Sequence, residues 1–423
     1  MEARIKGLTP LLLGICTLAS LPCFASAAAV FQIQPLAFEI AGNSAQPSVA
    51  PDAKRGEFVL SWQTKDADGC SALKLASLKP SAKLGQVRQA GQGCNWFVNW
   101  ADFPSVAIAD NGDWLTHWLQ KSTDAPYAYD IKMTRSMDQG LSWQTPFSPH
   151  SDATPTEHGF VSMAPIGGDQ VLAVWLDGRS MATSAVSGHD HASHAHTDAM
   201  TLRSAVIGRD AKRSHDLEID ASVCSCCNTD LARTQIGANA AHSLVFRDRS
   251  SAEIRDIGLA RHSGGRWKSE GLVHVDNWKI AGCPVNGPAI ASQGKAELVA
   301  WTTMQGDSLS VRARNLSHAK AKFIELESGA GVLGHVDAAA WGKSNWLISW
   351  QGAGSGGKSA LMLAELDSNL TIIRKQMIVE LPAGRSLGIP RLASLPGQHA
   401  VLVWTQATGA GKTQIHGVQV GAR

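Results

Sequence analysis

The sequence predicts an all-β protein built as a single β-propeller of four-stranded antiparallel blades, and three observations lead there. First, a short apolar block ending in an aromatic recurs seven times, closing on Trp62, Trp118, Trp175, Phe246, Trp301, Trp350 and Trp404. Second, successive closing aromatics stand 49 to 71 residues apart, a period expected of propeller blades and of no helical solenoid. Third, residues 136–143 carry a tight-turn signature. In it Asp138 accepts turn amides, Gly140 takes positive φ, and Trp143 folds back over the adjoining strands.

The remaining strands follow in order around those blocks. A second element precedes several blocks by about ten residues, at 47–50, 104–107, 288–291 and 390–393, each opening on a proline. These read as inner strands, with proline at the start, where no ladder donor is lost. A third strand follows the aromatic at 131–135, 310–314 and 361–365, and the turn signature comes directly after the first of them. After Trp404 only one more strand fits, 414–420. Residues 31–38 are therefore expected to supply the missing outer strand, closing the ring and leaving no open edge. The longest interval, between Trp175 and Phe246, holds an insertion.

Composition agrees with a large, turn-rich β domain: 44% of the 423 residues are hydrophobic, only 17% are charged, and there are 40 Gly and 14 Trp. A formal net charge of +2 gives no basic field to suggest nucleic acid. Arg4 and Lys6, an apolar run over 11–19 and Ala25-Ser26-Ala27 form the three parts of a secretory signal. We expect cleavage near Ala27, a domain spanning 30–423, and a periplasmic or secreted protein without an integral membrane segment once the signal is removed. Cys70 and Cys94 fall within one early repeat and are expected to form a disulfide.

The turn signature fits S-x-D-x-G-x-x-W at every fixed position, and on it the chain resembles the sialidase-like (BNR, or Asp-box) propellers. The resemblance implies the fold; its members have six blades, against seven by direct count here. It also implies an arginine triad for a substrate carboxylate, a Tyr nucleophile activated by Glu, and an Asp acid/base. Arg247 resembles the triad arginine that ends an aromatic strand, and Asp230 stands near where the family places its Glu. The two tyrosines, Tyr127 and Tyr129, precede the signature, whereas the family's nucleophile lies in a late blade. No Arg-Ile-Pro motif appears near the mature start either, so the covalent mechanism lacks its nucleophile.

Three groups of residues carry candidate chemistry. Cys224, Cys226 and Cys227 lie within four residues, with Cys283 following. Structural disulfides, a Cu or Zn site held by thiolates, and a redox-active pair all fit that pattern. The insertion at 187–199 carries His189, His191, His194 and His196, which suit Cu(II), Ni(II) or Zn(II), or form a solvated loop. Arg179, Arg203, Arg247, Arg249 and Arg255 are expected on one face, where converging guanidinium groups would bind an anionic small molecule or glycan; Arg–Asp pairs bracing the blades are the alternative. The leading expectation is a propeller that binds an anion or a metal. The alternatives are a hydrolase of acidic glycans using Asp230 or Glu253, and a protein-binding scaffold.

Overall fold

The computed structural model describes residues 30–38, 42–182, 199–236, 239–317, 322–382, 384, 388–409 and 411–421. The signal segment and the four histidines of the insertion lie outside them. The described residues form seven antiparallel sheets. Blade 1 comprises Asn43–Asp52, Glu57–Lys65, Ser71–Leu78 and Arg88–Gly93, and blade 2 Val106–Ile108, Trp114–Lys121 and Tyr129–Ser136. Blade 3 comprises His158–Gly167, Gln170–Asp177, Met200–Ile207 and Leu217–Val223; blade 4 Asp230–Ile236, Asn239–Arg247, Ile257–Ser263 and Arg266–His274. Blade 5 comprises Ala289–Gln293, Ala296–Gln305, Ser308–Asn315 and Phe323–Gly329; blade 6 Gly334–Trp341, Asn345–Ala353, Ser359–Leu366 and Ile372–Leu381. Blade 7 takes Arg391–Leu395, His399–Gly409 and Lys412–Gly421 from the C-terminus and Gln32–Pro35 from the N-terminus.

All seven aromatic blocks fall on the second strand of a blade, for a reason that lies in burial. That strand is covered on both faces: Phe58, Val59 and Leu60 are fully buried, yet Phe58 and Leu60 pack toward blade 7 while Val59 packs toward blade 2. The apolar core accordingly divides into seven clusters, one between each pair of neighbouring blades. A closed ring of seven is the arrangement that gives as many interfaces as blades.

The expected closure is present, with Gln32 to Pro35 paired antiparallel to Gly421 to Val418. Blade 2 departs from the four-stranded expectation. Its outer position is taken by an irregular segment in which Gln144 donates to the Arg135 carbonyl and Phe147 exchanges backbone hydrogen bonds with Met133. The turn after its third strand is closed by Ser136 Oγ, which accepts from Gly140 N at 2.7 Å, and by Asp138 Oδ1, which accepts from Ser142 N at 2.8 Å. Gly140 has φ +83°, and its missing Cβ leaves room for Arg88 and Trp114. One inner-strand proline also departs from expectation: Pro47 lies inside its strand at a register shift rather than at the start.

The blades are stapled across the ring by a recurring device. A side-chain oxygen at the entrance of one inner strand accepts an amide of the next: Asp102 from Phe160 N at 2.7 Å, Asp230 from Ile290 N at 2.8 Å, Asn286 from His335 N at 2.8 Å, and Asp337 from Leu392 N at 2.7 Å. These acceptors all lie at the end of the disc where the chain passes from one blade to the next. No helix among the described residues is long and apolar enough to cross a membrane.

Candidate functional site

The connections from each outer strand to the next inner strand gather at one face of the disc, and the two flanking blade 4 carry the four cysteines. Cys224, Cys226 and Cys227 lie between Val223 and Asp230, and Cys283 between His274 and Ala289. The first loop is clamped by two backbone bonds and one side-chain bond: Cys224 N donates to the Arg247 carbonyl at 2.9 Å, Arg249 N to the Ser222 carbonyl at 3.2 Å, and Ser162 Oγ to the Thr229 carbonyl at 2.7 Å. The second loop docks against the first at Gly287, where a Cβ would lie 2.0 Å from the Asn228 carbonyl, so only glycine fits.

The sulfurs of Cys224 and Cys226 are 3.7 Å apart, and those of Cys224, Cys226 and Cys227 all lie within 4.8 Å of one another. Cys283 is not among the sulfurs that all lie within 4.8 Å of one another, but its electrostatic interaction with Cys226 puts the second loop at the edge of the cluster. Burial is graded: Cys224 and Cys227 are 1% exposed, Cys226 is half-buried and Cys283 is exposed. Burial opposes ionisation of Cys224, but hydrogen bonds from Cys226 and Cys227 outweigh it and hold that thiol well below its usual range; Arg247 adds to the effect. Hydrogen bonding with Cys226 lowers Cys283 to about 6.

The five arginines fall into two groups rather than one. Arg179 donates to Asp177 and Asp216, both at 2.7 Å, and Arg203 reaches Asp216 at 3.5 Å and Glu218 at 2.8 Å. On blade 4, Arg249 and Arg255 share Glu253, at 2.6 and 2.7 Å. Arg247 is 2% exposed, gives its donors to the carbonyls of Asn286, Arg255 and Thr302 at 2.6–2.8 Å, and lies over the Trp278 ring at 4.6 Å. These guanidinium groups bind the protein to itself and, through Asn286 and Trp278, fix the loop that carries Cys283. The Arg255 charge and Cys224 interact favourably. Glu253 is thus taken up by arginines. Asp230 is an inner-strand staple, and it lines an axial cavity of about 360 Å³ to which all seven inner strands contribute.

Two networks escaped the sequence reading. In one, the Tyr129 hydroxyl lies 2.6 Å from Glu157 Oε1 and 3.2 Å from Asp102 Oδ2. Burial pushes Asp102 up to about 8 and Glu157 up to about 7. Burial is the main cause at Glu157, and the charge of Cys283 adds to the rise. In the other, His150 and His158 stack with centroids 4.0 Å apart and planes 2° from parallel, sharing Asp152 at 3.1 Å each. One nitrogen of each ring meets the Asp152 carboxylate, and Arg179 lies among Asp152, Asp177 and Asp216. Ligand atoms of Asp130, His150 and His158, and of Asp152, His158 and Asp177, lie within 4.8 Å of one another, and Arg179 already neutralises the carboxylates on one side of this network.

No protein-family model matches the chain, and no curated protein matches it. Among solved structures it is similar to a protein of unknown function from Dyadobacter fermentans DSM 18053, with TM-score 0.51 and 14% identity over 90% of this chain and 95% of that one. It is also similar to the polysaccharide lyase Uly1, with TM-score 0.50 and 9% identity over 91% of each chain. A variant of the NanB sialidase from Streptococcus pneumoniae aligns with TM-score 0.46 and 8% identity over 92% of this chain and 94% of that one. At these identities the likeness is one of fold.

Proposed function

We propose that this protein binds a soft metal ion, Cu(I) or Zn(II), through Cys224, Cys226, Cys227 and Cys283 at the face of the propeller. The observation that carries the reading is the sulfur geometry. Metal–sulfur bonds of about 2.3 Å in a tetrahedron require sulfurs about 3.8 Å apart, and Cys224 and Cys226 stand 3.7 Å apart. Clustered thiolates select such ions, and the neighbouring Arg255 and Arg247 offset part of the negative charge that thiolates bring into a buried site. An anion at the arginines has less support, because most of their donors are already engaged by carboxylates and carbonyls. Titration of the reduced protein with Co(II) as a reporter, then with Zn(II) or Cu(I), tests the reading: one ion per chain is expected, with thiolate charge-transfer absorption that Cys224→Ser abolishes.

A second reading, hydrolysis of an acidic glycan at the same face, draws on Glu157. This half-buried carboxyl, pushed up to about 7, is in the range of a general acid, and Tyr129 and Asp102 lie behind it. Release of sugar from such glycans, lost in Glu157→Gln, is the result that would favour it over metal binding.

A further inference from the structure

We infer that Cys283 is the capture ligand of the metal site, the thiol that first takes the ion from an external soft donor before the ion passes to the 224–227 loop. The inference rests on the metal reading above and adds a direction to it. Cys224 and Cys227 are 1% exposed, so an ion still carrying bulky donor ligands cannot approach them. Cys283 is exposed, between the exposed Gly282 and the partly exposed Pro284, on the loop that packs at Gly287 against Asn228, and Cys226 on the facing loop is half-buried and 3.7 Å from Cys224. Exposure thus falls from the solvent inward in the order Cys283, Cys226, then Cys224 and Cys227.

The backbone keeps the two loops together. Arg247 holds the Asn286 carbonyl on one side of Cys283, and Arg255 N donates to the Trp278 carbonyl on the other, at 2.8 Å in both cases. Gly287 lets this loop lie directly on Asn228, one residue beyond Cys227. Cys283 is therefore a surface thiol with fixed ends rather than one on a free arm.

The chemistry is ligand exchange without electron transfer. The Cys283 thiol loses its proton to water, its sulfur bonds to Cu(I) as one donor ligand leaves, and Cys226 then displaces the second donor ligand in the same way. Cys224 and Cys227 complete the sulfur set, and copper stays in the +1 state throughout. The donor fitting this step is a thiol or a comparably soft chelator.

The test is stopped-flow transfer of Cu(I) from its bicinchoninate complex to the reduced, metal-free full chain, followed by loss of the complex's colour, with circular dichroism confirming that each variant is folded. Cys283→Ser is expected to slow capture at least ~10-fold while still taking up one ion at equilibrium, because three inner thiols remain. Cys227→Ser is expected to lose affinity at least ~10-fold and to slow capture less than Cys283→Ser does. Parent-like capture by Cys283→Ser, or equal slowing by Cys227→Ser, would overturn the inference while leaving the metal site intact. No uptake by the parent chain would overturn the metal reading itself, and this inference with it.

Discussion

Asp102→Asn is expected to make the protein more stable at neutral pH and less sensitive to pH. The buried Asp102 carboxyl is 1% exposed, accepts from Phe160 N and meets the Tyr129 hydroxyl, and burial raises it from 3.8 to about 8. Because the folded state binds this proton more tightly than the unfolded chain does, the associated stability is fully present below pH 3.8. It falls as pH rises and is gone above about 8. The slope is about 1.4 kcal/mol per pH unit for one proton, which amounts to about 4 kcal/mol lost by pH 7. Glu157, raised from 4.5 to about 7, acts in the same direction. Asparagine keeps an oxygen for Phe160 N, offers an amide to the Tyr129 oxygen, and leaves Tyr129 free to donate to Glu157. Urea unfolding at half-unit steps from pH 4.5 to 8.5 measures the effect. The variant should lose stability about half as steeply as the parent between pH 4.5 and 7 and hold nearly level from 7 to 8. Identical slopes for the two proteins would refute the account of this network.

Three further outcomes follow from particular contacts. Arg247→Ala strands three buried carbonyls and removes the group stacked on Trp278, so it should cost about 3–5 kcal/mol in thermal or chemical unfolding; a loss below 1 kcal/mol would contradict its role as a clip. Deleting residues 30–38 removes the outer strand of blade 7 and exposes the edge of Lys412–Gly421. Light scattering should show association at concentrations where the parent is monodisperse, and an unchanged melting temperature would argue against the closure. Reducing the Cys70–Cys94 bridge, whose ends are 24 residues apart, should cost about 3–4 kcal/mol by the chain-entropy argument, read as a shift in urea midpoint; no shift would show the loop to be held by its packing alone.

What the sequence revealed and what it hid divide along one physical line. Burial on both faces writes itself into local sequence, so the second strands of the blades were visible as apolar blocks ending on Trp62, Trp175 or Trp301, all at most 1% exposed. The closing strand was visible because blade 7 ran out of chain. The absent fourth strand of blade 2 was not, since its edge is met by backbone bonds from Gln144 and Phe147 that no side-chain pattern encodes. The arginines were legible as a cluster but not by partner: the acceptors of Arg247 at Asn286 and Thr302 lie 39 and 55 residues away, in the next repeat. The Tyr129–Glu157–Asp102 contact joins residues 27 and 28 apart that carry no motif. For Cys283 a signal did exist. It follows the cysteine cluster by about one blade period, and that spacing alone puts it in the equivalent loop of the neighbouring blade.

X-ray absorption at the metal edge of the reduced protein loaded with one equivalent of Zn(II) or Cu(I) tests the central claim most directly. Sulfur-only coordination at about 2.3 Å, lost in Cys224→Ser, is the predicted result. A nitrogen- or oxygen-dominated shell, or non-reduced mass mapping that finds Cys226 and Cys283 joined as a disulfide in protein taken from its native compartment, would contradict it.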